Sequence, residues 1–167
     1  MGKKVAIVVG SQRDLPVIAG GTEILEMFGI PHEVKVLSAH RTPDETLRFA
    51  ATAEARGFGV IIACAGLAAH LPGFIASQTV LPVIGVPLPA GDLKGIDALL
   101  SIVQMPSGVP VACMAVGEPG VKNAALFAVE ILAHTHPQLR ARLHAFRRRM
   151  KTQAGSAPAS RATKENR

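Results

Sequence analysis

Five short apolar runs recur along the chain, separated mostly by segments with helical periodicity. Residues 4–9, 60–65, 83–87 and 111–116 are almost continuously apolar, as parallel strands are when helices cover both faces of their sheet. Residues 32–37 alternate polar and apolar side chains, the pattern of a strand with one wet side. Helices are predicted over 15–28, 43–56, 91–103 and 122–133, and a last one from Pro137 to about residue 152. The second should bury Leu47, Ala50, Ala51 and Ala55 and stop at Gly57. It should open on Thr42 as N-cap, with Pro43 in its first turn and Glu45 closing a capping box. The Gly20-Gly21 pair in the first helix predicts either a close approach to the sheet or a local weak point. The alternation as a whole predicts an α/β, flavodoxin-like three-layer sandwich with a central parallel sheet and an added C-terminal helix. Residues 1–153 read as one domain and 154–167 as a disordered basic tail. The stripe of Leu139, Leu143 and Phe146 on the last helix has no evident partner in the sheet, so docking on another subunit is the expectation.

Composition narrows the class. The chain has 167 residues, 49% of them hydrophobic, enough for one full core. No apolar run reaches the roughly 18 residues of a membrane span, and the basic start leads into a short valine-rich strand rather than a secretory h-region. The reading is a cytoplasmic protein without membrane contact. The net charge of +6 is misleading as a whole: residues 140–167 hold nine of the 18 Lys and Arg and only one acid, Glu165, so the other 139 residues carry about −2. With no aromatic interleaving beyond Phe146 and no recognisable motif, nucleic acid is not expected as a partner. Cys64 and Cys113 sit in apolar runs and read as buried small hydrophobes, and no Cys/His pair has zinc spacing, so no metal is expected.

The chemistry-bearing residues collect where strands end. Gly10-Ser11-x-x-Asp14 follows the first strand and precedes a helix, offering backbone N–H groups and a hydroxyl to an anion, although such turns also occur for purely structural reasons. Ser38-Ala39-His40-Arg41-Thr42-Pro43 places an imidazole and a guanidinium at the next tip. Gly66-Leu67-Ala68-Ala69-His70-Leu71-Pro72-Gly73 surrounds one histidine with small residues, so that a ligand could lie against backbone; taken alone, His70 could equally be structural. In open α/β sheets the carboxyl ends of the strands are where ligands bind. His134, His136 and His144 fall beyond that edge.

These motifs, with Leu99-Leu100-Ser101-Ile102-Val103-Gln104-Met105-Pro106 and Asn123-Ala124-Ala125-Leu126, occur in order over residues 4 to about 150. Together they closely resemble the N5-carboxyaminoimidazole ribonucleotide mutases of bacterial purine synthesis. The resemblance implies an isomerase without cofactor that moves a carboxylate from an exocyclic nitrogen to a ring carbon of an aminoimidazole ribonucleotide. It implies His40 as general acid and base, a task suited to imidazole near neutral pH, and His70 as a second catalytic residue. Ser11, Asp14, Ser38 and Arg41 would then hold the ribose phosphate and its hydroxyls, and Gly66, Ala68, Ala69 and Leu71 would belong to the carboxylate and CO2 pocket. It further implies a homo-octamer with sites at subunit junctions, and a functional link to the ATP-dependent synthetase that makes the substrate. Arg13, Leu15, Cys64, Leu67 and Glu118 depart from the usual pattern, which keeps open a divergent paralogue that binds or carboxylates a related aminoimidazole-type ribonucleotide. For Leu67, replacing a glycine, the expectation is that space rather than positive φ was required, with the side chain turned away from the ligand.

Overall fold

The computed structural model describes residues 2–155 and contains five strands: β1 (Lys4–Val9), β2 (His32–Val36), β3 (Phe58–Ala65), β4 (Val83–Pro87) and β5 (Ala112–Cys113). All pair in parallel, in the order β2-β1-β3-β4-β5. The helices are α1 (Ala19–Met27), α2 (Pro43–Thr52), α3 (Leu71–Ala76), α4 (Ile96–Val103), α5 (Glu118–Ala133) and α6 (Pro137–Gly155). Alternation along the strands builds two cores, one on each face of the sheet. Val5, Ile7 and Val9 pack with Ile18, Leu25, Val121 and Val129, on the side of α1, α5 and α6. Ala6, Val8 and Ile61 pack with Phe49, Leu71, Ile75 and Ile102, on the side of α2, α3 and α4. This is the three-layer α/β sandwich expected from the strand runs. The edge strand β2 carries Glu33, which pairs with Lys4, Lys35 and Arg56; the hydrogen bond from Lys4, followed by that from Lys35, holds its carboxyl down at about 2.

Several local expectations are corrected. The first helical stretch begins as a 3-10 helix, Gln12–Ile18, with Pro16 inside it, and becomes α-helical only at Ala19. Gly20 and Gly21 do allow a close approach, but to α5: a Cβ at Gly20 would lie 2.4 Å from Lys122 Cε, and one at Gly21 2.6 Å from Val121 Cγ1. The capping box does not form, because Thr42 Oγ1 turns back to accept from the Ser38 N–H at 2.9 Å. In α2 the buried residues are Thr46, Phe49 and Ala50, followed by Ala53, whereas Ala51 and Ala55 are exposed. Phe49 outweighs the alanines and sets which face turns inward. The short α3 has no counterpart in the predicted elements. Before α4, residues 91–95 include three left-handed positions, Gly91, Lys94 and Gly95, so the helix starts at Ile96. β5 has only two residues, and α5 opens four positions earlier than expected, with Pro119 in its first turn.

The largest correction concerns α6. Its apolar stripe is satisfied within the chain: Leu139 is buried, Leu143 and Phe146 pack on the α1/α5 core, and Phe146 meets Phe28 edge-on at 5.6 Å. Arg142 Nη1 donates to Phe28 O at 3.0 Å and Arg147 pairs with Glu130 at 2.6 Å, tying the helix down within the stripe and just beyond it. α6 runs to Gly155, into the segment expected to be disordered; the rest of that tail lies outside the described residues. The apolar face left open is on α4 and the turn before it, where Leu93, Ile96, Leu100 and Val103 are 62, 56, 55 and 50% exposed.

Candidate active site

At the carboxyl end of β1 the chain turns at Gly10, and Ser11 caps the 3-10 helix by accepting from the Arg13 N–H at 3.3 Å. Asp14 N–H donates back to Ser11 O at 3.1 Å. The Asp14 carboxyl is pushed above its ordinary range by burial, against the opposing pull of the Ser11 backbone N–H and the Arg41 charge. Arg41 arrives from the loop after β2. Its Nη2 donates to Gly10 O at 2.6 Å and its Nε approaches Ser38 Oγ at 3.4 Å, while its own backbone N–H donates to Ser38 Oγ at 3.2 Å. Ser11, Asp14, Ser38 and Arg41 therefore form one polar cluster across the ends of two adjacent strands. Charge-assisted donors beside a carboxylate suit a sugar phosphate with free hydroxyls.

His40 sits beside this cluster and reaches across to the loop after β3. Its Nε2 lies 2.7 Å from His70 Nδ1, with the rings nearly perpendicular at 81°. Both side chains are exposed, so the pair stands at the rim of the sheet, open to a ligand. His70 N–H donates to Ala68 O at 2.8 Å, a tight turn that sets the ring just before α3. The residues around it divide by role. Ala69 and Leu71 are core residues, 1 and 3% exposed, so their side chains are turned away from the rim and only backbone is offered there. Ala68 is exposed. Gly66 is pressed against the loop after β4, where a Cβ would lie 3.0 Å from Ala90 Cβ and 3.1 Å from Leu88 O.

Leu67 overturns the expectation placed on it. Its φ is +55°, in the left-handed region, so the backbone does adopt the conformation that favours glycine. The side chain does turn outward, 54% exposed, with Cδ2 3.0 Å from where Gly91 would carry a Cβ. The wall formed by Leu88, Ala90 and Gly91 was not read from the sequence. Its signal was the glycine at position 91, absorbed there into a helix that begins five residues later. Gly10 O, which holds Arg41, was equally unreadable because it is a backbone atom. Cys64, at the end of β3, is fully buried; burial first, and the Asp14 charge second, hold its thiol protonated. Cys113 is half-buried and its thiol is also pushed up by burial. Glu118 pairs one turn along α5 with Lys122 at 2.6 Å. No group of three or more His, Cys, Asp or Glu among the described residues is arranged to hold a metal ion, and no helix among them is long and apolar enough to cross a membrane.

The family model described as AIR carboxylase matches residues 4–153. The chain is 54% identical over 147 residues to the N5-carboxyaminoimidazole ribonucleotide mutase of Pyrococcus horikoshii, covering 88% of this chain and 82% of that protein. It is 51% identical over 145 residues to the mutase of the same name from Escherichia coli K12, covering 87% and 86%. Among solved structures, Treponema denticola PurE superposes with a TM-score of 0.80 at 27% identity, over 92% of each chain.

Proposed function

The chain belongs to the AIR carboxylase family, and on that premise we propose that it is a mutase interconverting N5-carboxyaminoimidazole ribonucleotide and 4-carboxy-5-aminoimidazole ribonucleotide in purine biosynthesis. The observation that carries the residue assignment is the His40–His70 contact beside the Ser11, Asp14, Ser38 and Arg41 cluster. In this reading the cluster binds the ribose phosphate, with Asp14 accepting from ribose hydroxyls, and the base lies toward the imidazoles. His40 gives its proton to the exocyclic nitrogen as the N–C bond breaks and CO2 departs. The ring carbon C4 then attacks the trapped CO2, and the same imidazole takes the C4 proton. Donor and acceptor are one group, and no net proton is consumed.

His70 positions His40. Its Nδ1 meets Nε2 of the His40 ring, which sets the aim of that ring. Gly66, Ala68 and the backbone of Ala69 and Leu71 bound the space that retains CO2, with Leu67 and the Leu88–Gly91 wall behind it. CO2 must not escape between the two steps, yet the imidazoles of one chain stand exposed. A neighbouring subunit supplies the cover, and the open α4 face supports association. We place the chain in a cytoplasmic homo-octamer working beside the ATP-dependent synthetase that makes its substrate.

Ultraviolet monitoring of the purified chain with each ribonucleotide tests the assignment. Interconversion in both directions without added ATP, metal or cofactor is expected. Tight product binding with no interconversion would favour the divergent paralogue instead.

A further inference from the structure

A second cleft lies at the opposite end of the sheet. It has a volume of about 270 Å3 and is bounded by the residues that precede β1 and β2 and by the α5/α6 junction. That is close to the lower size of small-molecule sites, roughly 300 Å3. Its floor is apolar, made by Phe28, Ile30 and Leu132, which belong to or pack against the α1/α5 core. Its charged side chains, Lys3 and Arg142, are both cationic; His136 and Gln138 add polar groups, and no carboxylate lines it. Lys3 has no ion-pair partner among the described residues. Arg142 is held in place by a single bond to Phe28 O at 3.0 Å, which leaves most of its five N–H donors free. His136 Nδ1 is 2.9 Å from Leu132 O, an anchor that leaves Nε2 as the other ring nitrogen.

An apolar floor under cations that nothing neutralises recognises a particular kind of molecule. A neutral apolar ligand would leave the cations solvated but idle, and a small inorganic anion would leave the floor empty. We propose that this cleft binds a small organic anion with a flat apolar body, a carboxylate on an aromatic or short aliphatic group, its charge between Lys3 and Arg142 and its body on Phe28 and Leu132. The site is separate from the histidine rim, since its residues lie before β1 and β2 whereas those of the rim follow them.

Benzoate is the probe, followed by ligand-observed NMR titration of the full assembled protein, with benzyl alcohol and acetate as the uncharged and bodiless controls. Saturable benzoate binding is expected, at least about tenfold tighter than either control. Lys3→Met and Arg142→Met should each weaken it by roughly three- to tenfold, and Arg41→Ala, at the other end of the sheet, should leave it unchanged. Lys3 is exposed and unpaired, so its variant keeps the test valid if Arg142→Met loosens α6. Benzoate affinity unchanged in both cleft variants, equal binding of benzyl alcohol, or no saturable binding because a neighbouring subunit fills the cleft would each overturn the proposal.

Discussion

His40 Nε2 and His70 Nδ1 are 2.7 Å apart although thirty positions separate them in the chain. At that distance a single proton lies between the facing nitrogens, donated by one ring and accepted by the other. The pair therefore has a hydrogen-bond donor and an acceptor side by side, which ties the aim of each ring to the other. His40→Asn, which keeps a polar partner for His70 but no titratable proton, should lower turnover by about 100-fold or more while product affinity by calorimetry stays within a few fold. His70→Asn should cost less. A His40→Asn enzyme with native turnover would remove it as the acid and base.

Asp14 pits ligand binding against stability. Burial raises its carboxyl pKa in the fold, so above the unfolded value near 3.9 the native state is penalised for carrying the charge. Below that pH both states are protonated and the penalty vanishes. Asp14→Asn should thus raise the melting temperature at pH 7.5, with little gain near pH 3.5, and should weaken ribonucleotide binding. Calorimetric melts at the two pH values test the sign.

Leu67 carries a left-handed backbone at a cost of about 1–2 kcal/mol for a non-glycine residue. Little burial is lost on removing a side chain that is 54% exposed. Leu67→Gly should stabilise the protein by up to about 1 kcal/mol in denaturant unfolding and change turnover by less than about tenfold, while Leu67→Val should destabilise it. A much larger rise in turnover for the glycine variant would show that Leu67 obstructs the carboxylate loop.

Because α6 is packed on its own chain, its stripe supports the protomer fold. Leu139→Ala should cost about 2–3 kcal/mol, near 5–10 °C in melting temperature for a protein of this size, with no change in the mass of the assembly that survives. Dissociation without loss of melting temperature would assign Leu139 to an interface instead.

The α4 face makes the opposite prediction. On α4, Ile96, Leu100 and Val103 recur at spacings of four and three, the seam by which one helix packs against another. Leu100→Glu should leave the circular dichroism of the fold intact and reduce the assembly mass seen by light scattering. An unchanged assembly would move the subunit contact elsewhere.

The layers of the fold were legible because the strands are buried on both faces, and continuous Val-Ala-Ile runs have few other readings. Helix boundaries were not, since Pro16 and Pro119 fit either a first turn or an interior 3-10 turn until packing decides. The inward face of α2 was misjudged because alanine marks a face weakly, and α6 because a stripe says that a partner exists without saying which. At the rim, sequence order brought Ser11, Asp14, Ser38 and Arg41 to strand ends. Their mutual contacts, and the wall at Leu88 to Gly91, depend on backbone atoms that have no letter in a sequence.

Cys64 lies at the inner edge of this rim, sealed from solvent and held protonated by burial and by the Asp14 charge. Thiolate is the form that reacts with peroxides and mixed disulfides, so an oxidant reaching the histidine pair meets no reactive sulfur there. The chemistry proposed for the rim rests on imidazole, guanidinium and hydroxyl groups, whose protonation does not follow the thiol redox poise of the cell. Cys64 therefore contributes packing to the rim and no nucleophile.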